Sequence, residues 1–295
     1  MTAGPVVDYQ VTDRVATITL DRPEQGNAMT LRLCSELVDA IDRAEADDEV
    51  AAVVLTGRGR NFCVGADLDE GFHHGDREPS PEHAVFVERF GAADGVPRDA
   101  GGVVTLRMAA MLKPIVVAVN GAAVGGGASM ILPADVRVVG ESTRVGFVYT
   151  RRGMLIESAA SWFLPRLVGT ARATEWVVTG RLLSADEVVA GGLAGRMVAD
   201  AEVLDAAYAI ATEIAERAST VGVSLSKQLL WSMWAAPSPW DAHLLESRGV
   251  YELPGLGDVG EGVAAFLEKR DPAFPLRVPR DYPEYGPRWP GVSRR

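Results

Sequence analysis

The sequence predicts an α/β fold whose strands pair mostly in parallel. Short apolar runs at Ala51–Leu55 and Ile115–Val119 are bounded by turn residues, as expected of strands covered on both faces. Helical apolar patterns alternate with them, which argues for β and α elements laid down in turn. No fixed-period repeat appears, which removes solenoids and propellers.

The elements follow in chain order. Val6 to Leu20 alternates apolar and polar residues around a turn at Thr12-Asp13-Arg14, the pattern of a strand pair. Thr30 then caps a helix to about Ala46, with Leu31, Leu33, Leu37, Val38 and Ile41 near one face. Ala51–Leu55 ends at Thr56-Gly57 as a buried strand. The same strand-then-helix order returns at Ile115–Met130 and Val136–Leu167.

Two regions depart from this order. Asp69 to Ala100 is rich in Gly, His, Pro and charge, and predicts a long loop with one helical piece near Pro81 to Phe90. Loops of that length in compact domains often cover active sites. From about Asp200 the pattern is helical: Leu204 to Ala218, Ser224 to Trp234 and Gly260 to Lys269. The expected division is residues 1–199 as core, 200–275 as a helical region and 276–295 as a Pro- and Arg-rich tail.

The 295 residues are enough for one large domain or two ordinary ones. Hydrophobic residues at 47% and charged residues at 23% are globular proportions, so disorder is not the theme. Lys and Arg number 29 against 40 Asp and Glu, a net charge of −11 with no large basic stripe, so no nucleic-acid partner is expected. Cys34 and Cys63 build no disulfide framework and suit a reducing compartment. Met1 to Gln10 has no signal-peptide pattern, and a cytoplasmic location is expected. Pro114 to Ala134 lacks charge and approaches membrane-spanning length. Its four glycines, Asn120 and flanking prolines favour a buried strand, a turn and a short helix, so no membrane partner is expected.

Several catalytic motifs fail by a definite residue. Gly57-Arg58-Gly59-Arg60-Asn61-Phe62 lacks the third glycine of a dinucleotide fingerprint, and Gly121 to Gly127 lacks the Lys-Ser/Thr of a phosphate loop. Gly127-Ala128-Ser129 starts like a nucleophile elbow but continues to Ile131 rather than glycine. His73-His74 with Asp76 has neither helical His spacing nor a second ligand pair, so no metal is expected.

What remains is two glycine-bearing turns after strands: Phe62-Cys63-Val64-Gly65-Ala66-Asp67-Leu68 and Asn120-Gly121-Ala122-Ala123-Val124-Gly125-Gly126-Gly127. Free N–H groups at such turns suit developing negative charge on oxygen. Either turn alone reads as ordinary turn chemistry. Together, with Leu20-Asp21-Arg22-Pro23, Asn27-Ala28-Met29, Gly57-Arg58-Gly59, Lys113-Pro114-Ile115 and Asp135, they resemble the crotonase (enoyl-CoA hydratase/isomerase) superfamily. The resemblance continues through Leu164-Pro165-Arg166-Leu167-Val168-Gly169, Thr179-Gly180-Arg181 and Glu261-Gly262-Val263 to Phe266–Arg270, covering about Val6 to Pro275.

The resemblance implies a crotonase-like spiral of ββα units with a helical C-terminal oligomerisation region, a homotrimer or dimer of trimers. It implies an acyl-CoA thioester substrate and no separate cofactor, coenzyme A being part of the substrate. The backbone N–H groups of Ala66 and Gly126 match the oxyanion hole that holds the thioester enolate. Arg22, Ala28, Val64, Asp67, Leu68, Gly125, Ser129 and Tyr149 match positions along the substrate path, with Arg22 near the nucleotide end and Val64 and Leu68 along the pantetheine.

The departures are as informative. Hydratases of this family carry two carboxylates, at positions held here by Ser129 and Tyr149. Adding water needs a base and an acid, and neither residue supplies these readily at its ordinary pKa. Ser129 reads as a small helix residue and Tyr149 as a pocket wall. Glu157 matches a third carboxylate position, that of some enoyl-CoA isomerases. It reads as the proton shuttle of a double-bond isomerase, in an apolar setting of Met154, Leu155, Ile156 and Trp162; an ordinary acid before a helix is the plainer alternative. A hydratase of non-standard mechanism, using Glu157 with Tyr149 or with a loop carboxylate such as Asp69 or Glu70, and a non-catalytic acyl-CoA binder are the other readings.

Overall fold

A computed structural model describes residues 4–68 and 80–291. β1 (Val7–Thr12) and β2 (Val15–Leu20) form an antiparallel hairpin whose turn places Asp13 and Arg14 at positive φ. Thr30 caps α1 (Leu31–Ala46) by accepting the Leu33 N–H. β3 (Ala52–Gly57) is buried along its whole length, as a strand covered on both faces must be.

α2 (Pro81–Phe90) falls where the sequence placed a helix. Beyond it come two strands of two residues each, β4 (Ala92–Ala93) and β5 (Val96–Pro97), and then α3 (Ala100–Ala110). The stretch to Ala100 is therefore more ordered than a long loop, as far as it is described. Asp99 starts α3 by accepting the N–H groups of Gly101 and Gly102, which offsets the poor helix propensity of two glycines.

The next run holds β6 (Ile115–Val119), β7 (Ala122–Val124), α4 (Gly126–Met130), β8 (Val136–Gly140) and β9 (Arg144–Gly146). After it come α5 (Ala160–Val168), α6 (Thr170–Thr179), β10 (Leu182–Ser184), α7 (Ala185–Ala190) and β11 (Arg196–Val198). Four helices close the chain: α8 (Val203–Arg217), α9 (Thr220–Met233), α10 (Pro239–Glu252) and α11 (Asp258–Glu268). Sequence patterning had not foreseen α10, which has no buried residue and so no core-facing stripe.

The main sheet has the order β1-β2-β3-β6-β8-β11, parallel from β2 onward. A second sheet, β10-β9-β7, pairs β7 with β9 in parallel. This mixed α/β architecture with its C-terminal helices is the one the resemblance implied. One face of the main sheet packs on α1 and α3 through residues such as Leu37, Ile41, Val104 and Met108. The other face takes Ala207, Ala211 and Ala215 of α8 against Val54, Val116 and Val138.

Several residues of the resemblance are structural. The buried Lys113 ammonium donates to the carbonyls of Ala44 and Asp47 at the end of α1. Burial pushes it down to about 8. Asp135 accepts from the Ile115 N–H and the Trp231 indole and pairs with Lys227 at 2.8 Å, tying α9 to the sheet. The segment after 275 packs inward: Val278 and Tyr282 are buried, and Trp289 joins Trp162, Phe163, Trp231 and Trp234 in one aromatic cluster.

Candidate active site

The two glycine turns are stitched together by the backbone. Cys63 donates to the Ala122 carbonyl and accepts from the Val124 N–H, at 3.0 and 2.9 Å. Gly65 sits at φ +95°, and a Cβ on it would lie 2.8 Å from the Val124 oxygen, so only glycine fits this approach. The Gly65 carbonyl and the Asp67 N–H both bond to Met29, which turns the Ala66 N–H to the opposite side.

That side is the cavity. Among the described residues neither the Ala66 N–H nor the Gly126 N–H has an acceptor, and both residues line a cavity of about 70 Å³. Two outward-facing donors on a stitched backbone need no reorganisation to receive a negative oxygen. The structure thus brings together the two N–H groups that the sequence matched.

Glu157 lines the same cavity. A Cβ built on Gly126 would stand 3.4 Å from its Oε1, so the carboxyl lies directly against the glycine. Burial pushes Glu157 up to about 7, with the negative charge and hydrogen bonding of Asp99 adding in the same direction. Hydrogen bonding from Tyr149 acts the opposite way. A carboxyl that titrates near neutrality both takes and gives a proton there.

Ser129 and Tyr149 share a hydrogen bond of 2.6 Å between their hydroxyls. Burial pushes the Tyr149 phenol well above its ordinary value, and the Glu157 charge pushes it further. Neither hydroxyl ionises readily, so both residues stay neutral here. Ser129 is fully buried in α4, and Tyr149 forms a wall of the cavity.

The remaining matched residues separate. Val64, Leu68 and Gly125 line the cavity, with Val64 and Leu68 exposed at its mouth. Arg22 donates to the Ala28 carbonyl at 2.6 Å and pairs with Asp67 at 2.8 Å, so these three form a clamp beside the turn. The expected apolar setting of Glu157 is only partly found. Met154 and Val148 line the cavity, whereas Leu155 is 73% exposed and Trp162 belongs to the aromatic cluster. The chain turns sharply after Glu157, with Ser158 and Ala159 at φ +60° and +55°, so neighbours in sequence do not share its surroundings.

One residue was not singled out for its role. Asp99 faces Glu157 and also accepts the Ser158 N–H at 2.7 Å. Its signal was an acidic residue capping a helix, hidden by the glycines that follow it. Arg152 lines the cavity and has no acidic partner among the described residues.

No group of three His, Cys, Asp or Glu side chains suited to a metal occurs among the described residues. His73, His74, Asp76, Asp69 and Glu70 lie outside the described residues. Burial raises the Cys63 thiol to about 12, so it offers no ready thiolate. A larger cavity of about 690 Å³ lies between β8, α8 and α9, where Lys227 and Asp135 are already paired. No helix among the described residues is long and apolar enough to cross a membrane.

A family model described as enoyl-CoA hydratase/isomerase matches residues 10–277. An enoyl-CoA hydratase of Alternaria alternata is 38% identical over 269 residues, 91% of this chain and 85% of that protein. The 1,2-epoxyphenylacetyl-CoA isomerase of Escherichia coli strain K12 is 33% identical over 261 residues, 88% of this chain and 94% of that protein. The solved structure of an enoyl-CoA hydratase from Bacillus anthracis superposes with a TM-score of 0.79 at 28% identity, covering 91% and 98% of the two chains.

Proposed function

The chain belongs to the enoyl-CoA hydratase/isomerase family, and on that premise we propose that it moves the double bond of an enoyl-CoA thioester. The observation that carries this reading is Glu157, the one carboxyl lining this cavity among the described residues, poised near neutrality against Gly126 beside the two free N–H groups.

In this reading the thioester carbonyl oxygen lies between the Ala66 and Gly126 N–H groups. The Glu157 carboxylate takes a proton from C2 of a 3-enoyl thioester, and the electron pair spreads over a dienolate whose oxygen the two donors hold. Glu157 then returns the proton to C4, leaving the double bond between C2 and C3. No atom is gained or lost. The two preorganised donors each supply several kcal/mol to the anionic intermediate.

Coenzyme A enters as part of the substrate, and the reaction calls for no further cofactor. Arg22, Ala28 and Asp67 would shape the turn that carries Val64, Ala66 and Leu68, rather than grip the nucleotide. A homotrimer or dimer of trimers in the cytoplasm goes with the proposal, supported by the exposed Tyr251, Phe266 and Leu267 of α10 and α11.

One observation favours a second reading, hydration by a non-standard mechanism. The Ser129–Tyr149 hydroxyl pair beside Glu157 is able to hold a water molecule, and named relatives include hydratases. Saturated, 2-enoyl and 3-enoyl thioesters followed by mass and NMR separate the two. Bond migration at constant mass supports the isomerase, and a mass gain of one water supports the hydratase. Binding with neither change supports a carrier.

A further inference from the structure

The carboxylate of Asp99 is bound from three sides by backbone. It accepts the Gly101 and Gly102 N–H groups at 3.0 Å, where α3 begins, and the Ser158 N–H at 2.7 Å. The Ser158 carbonyl in turn accepts from the Thr105 hydroxyl at 2.9 Å. Both backbone groups of Ser158 are thus held by α3 and its cap. Ser158 and Ala159 both adopt positive φ without being glycine, a conformation that persists only where surroundings impose it. A side chain at Gly101 would strike the Ser158 hydroxyl, so α3 is pressed against this corner.

We propose that Asp99 is a positioning residue of the site: it fixes the Ser158–Ala159 corner that aims Glu157 at Gly126. The proposal rests on Glu157 being the acting carboxyl.

The groups that face Glu157 give the sign. Asp99 comes from the cap of α3 and disfavours the ionised carboxylate by its charge. Tyr149 comes from the 148–152 turn and favours the carboxylate by hydrogen bonding. Arg152 of the same turn lines the cavity as a cation, and α4 contributes Gly126, which carries no charge. Asp99 is thus the one acidic group that faces Glu157 among the described residues, and neutralising it removes its charge contribution while leaving the larger one from burial.

The test is a carboxyl-carbon NMR titration of the full chain labelled with ¹³C at Asp and Glu, with Glu157→Gln assigning the Glu157 signal. In the wild type the Asp99 carbon is expected to shift at the Glu157 midpoint near 7, because the charge that appears on Glu157 acts directly on its neighbour. Asp99→Asn and Asp99→Ser, both neutral caps, are expected to lower that midpoint by roughly one pH unit. Thr105→Val disturbs the same corner without removing charge, and is expected to leave the midpoint in place while slowing turnover.

An Asp99 signal that ignores the Glu157 midpoint overturns the proposal. So does an unmoved midpoint in a neutral-cap variant, or an equal shift in Thr105→Val. If neither neutral cap folds, the wild-type Asp99 response decides alone. Failure of the isomerase reading is distinguished by thioester chemistry, since the titration needs no turnover.

Discussion

Oε1 of Glu157 stands 3.4 Å from the point that a Cβ on Gly126 would occupy. Gly126 therefore does two things at once: it offers a free N–H to the cavity and leaves room for the carboxyl beside it.

Gly126→Ala tests that packing. The added methyl would come 2.6 Å from the Met29 sulfur, near the end of a flexible side chain that can yield, and would stand in van der Waals contact with Glu157 Oε1 at 3.4 Å, crowding the space in which that carboxyl works. We expect a folded protein with turnover reduced on the order of 10²-fold, because small displacements at a reacting centre are amplified. Turnover assays and circular dichroism together check this, and full activity would show that the glycine is only turn chemistry.

Glu157→Gln has a stability signature with a definite sign. The folded chain holds this proton up to about pH 7, whereas the unfolded chain releases it near the ordinary 4.5. The group's contribution is complete below 4.5 and is lost as pH rises to 7. The variant escapes that loss, so it should match the wild type near pH 4.5 and exceed it at pH 8 by about 3 kcal/mol. Urea denaturation at the two pH values reads the difference, and an equal offset at both would contradict the assignment.

The Tyr149 hydroxyl favours ionised Glu157, so Tyr149→Phe should move the rising limb of the pH–rate profile to higher pH. Above that limb isomerisation should stay within about tenfold of wild type, since one hydrogen bond is lost and no proton carrier. The hydratase alternative expects loss of water addition instead. A pH profile of each reaction separates them.

Trp289 stacks on Trp231 and packs edge-on to Phe163, and its backbone N–H, which an alanine would keep, donates to the Gln228 side-chain oxygen at 2.6 Å. Trp289→Ala should cost about 2–4 kcal/mol, less than a fully buried tryptophan. Urea unfolding followed by fluorescence reads it. A change under 1 kcal/mol would mean the final segment is dispensable.

Much of this arrangement was legible before any coordinates. The Thr30 cap, the apolar runs Ala51–Leu55 and Ile115–Val119 and the two glycine turns are patterns visible in short stretches of sequence. Ala66, Gly126 and Glu157 were reachable through resemblance and converge on one cavity. Asp99 was not, because Gly101 and Gly102 hide the helix it starts and its partners Ser158 and Glu157 are nearly sixty residues away. The surroundings of Glu157 were misread for a related reason. Left-handed backbone at Ser158 and Ala159 reverses the chain, sending Trp162 to the aromatic cluster and Leu155 to solvent.

The central claim is that Glu157 carries a proton between C2 and C4 of an enolised thioester. A 3-enoyl-CoA incubated with wild type and Glu157→Gln in D₂O, followed by NMR and mass, tests it most directly. We expect the wild type to move the double bond with deuterium appearing at C2 or C4 and no gain of water, and the variant to fall by at least about 10²-fold. Undiminished exchange in Glu157→Gln, or water addition as the main product of the wild type, would contradict the account.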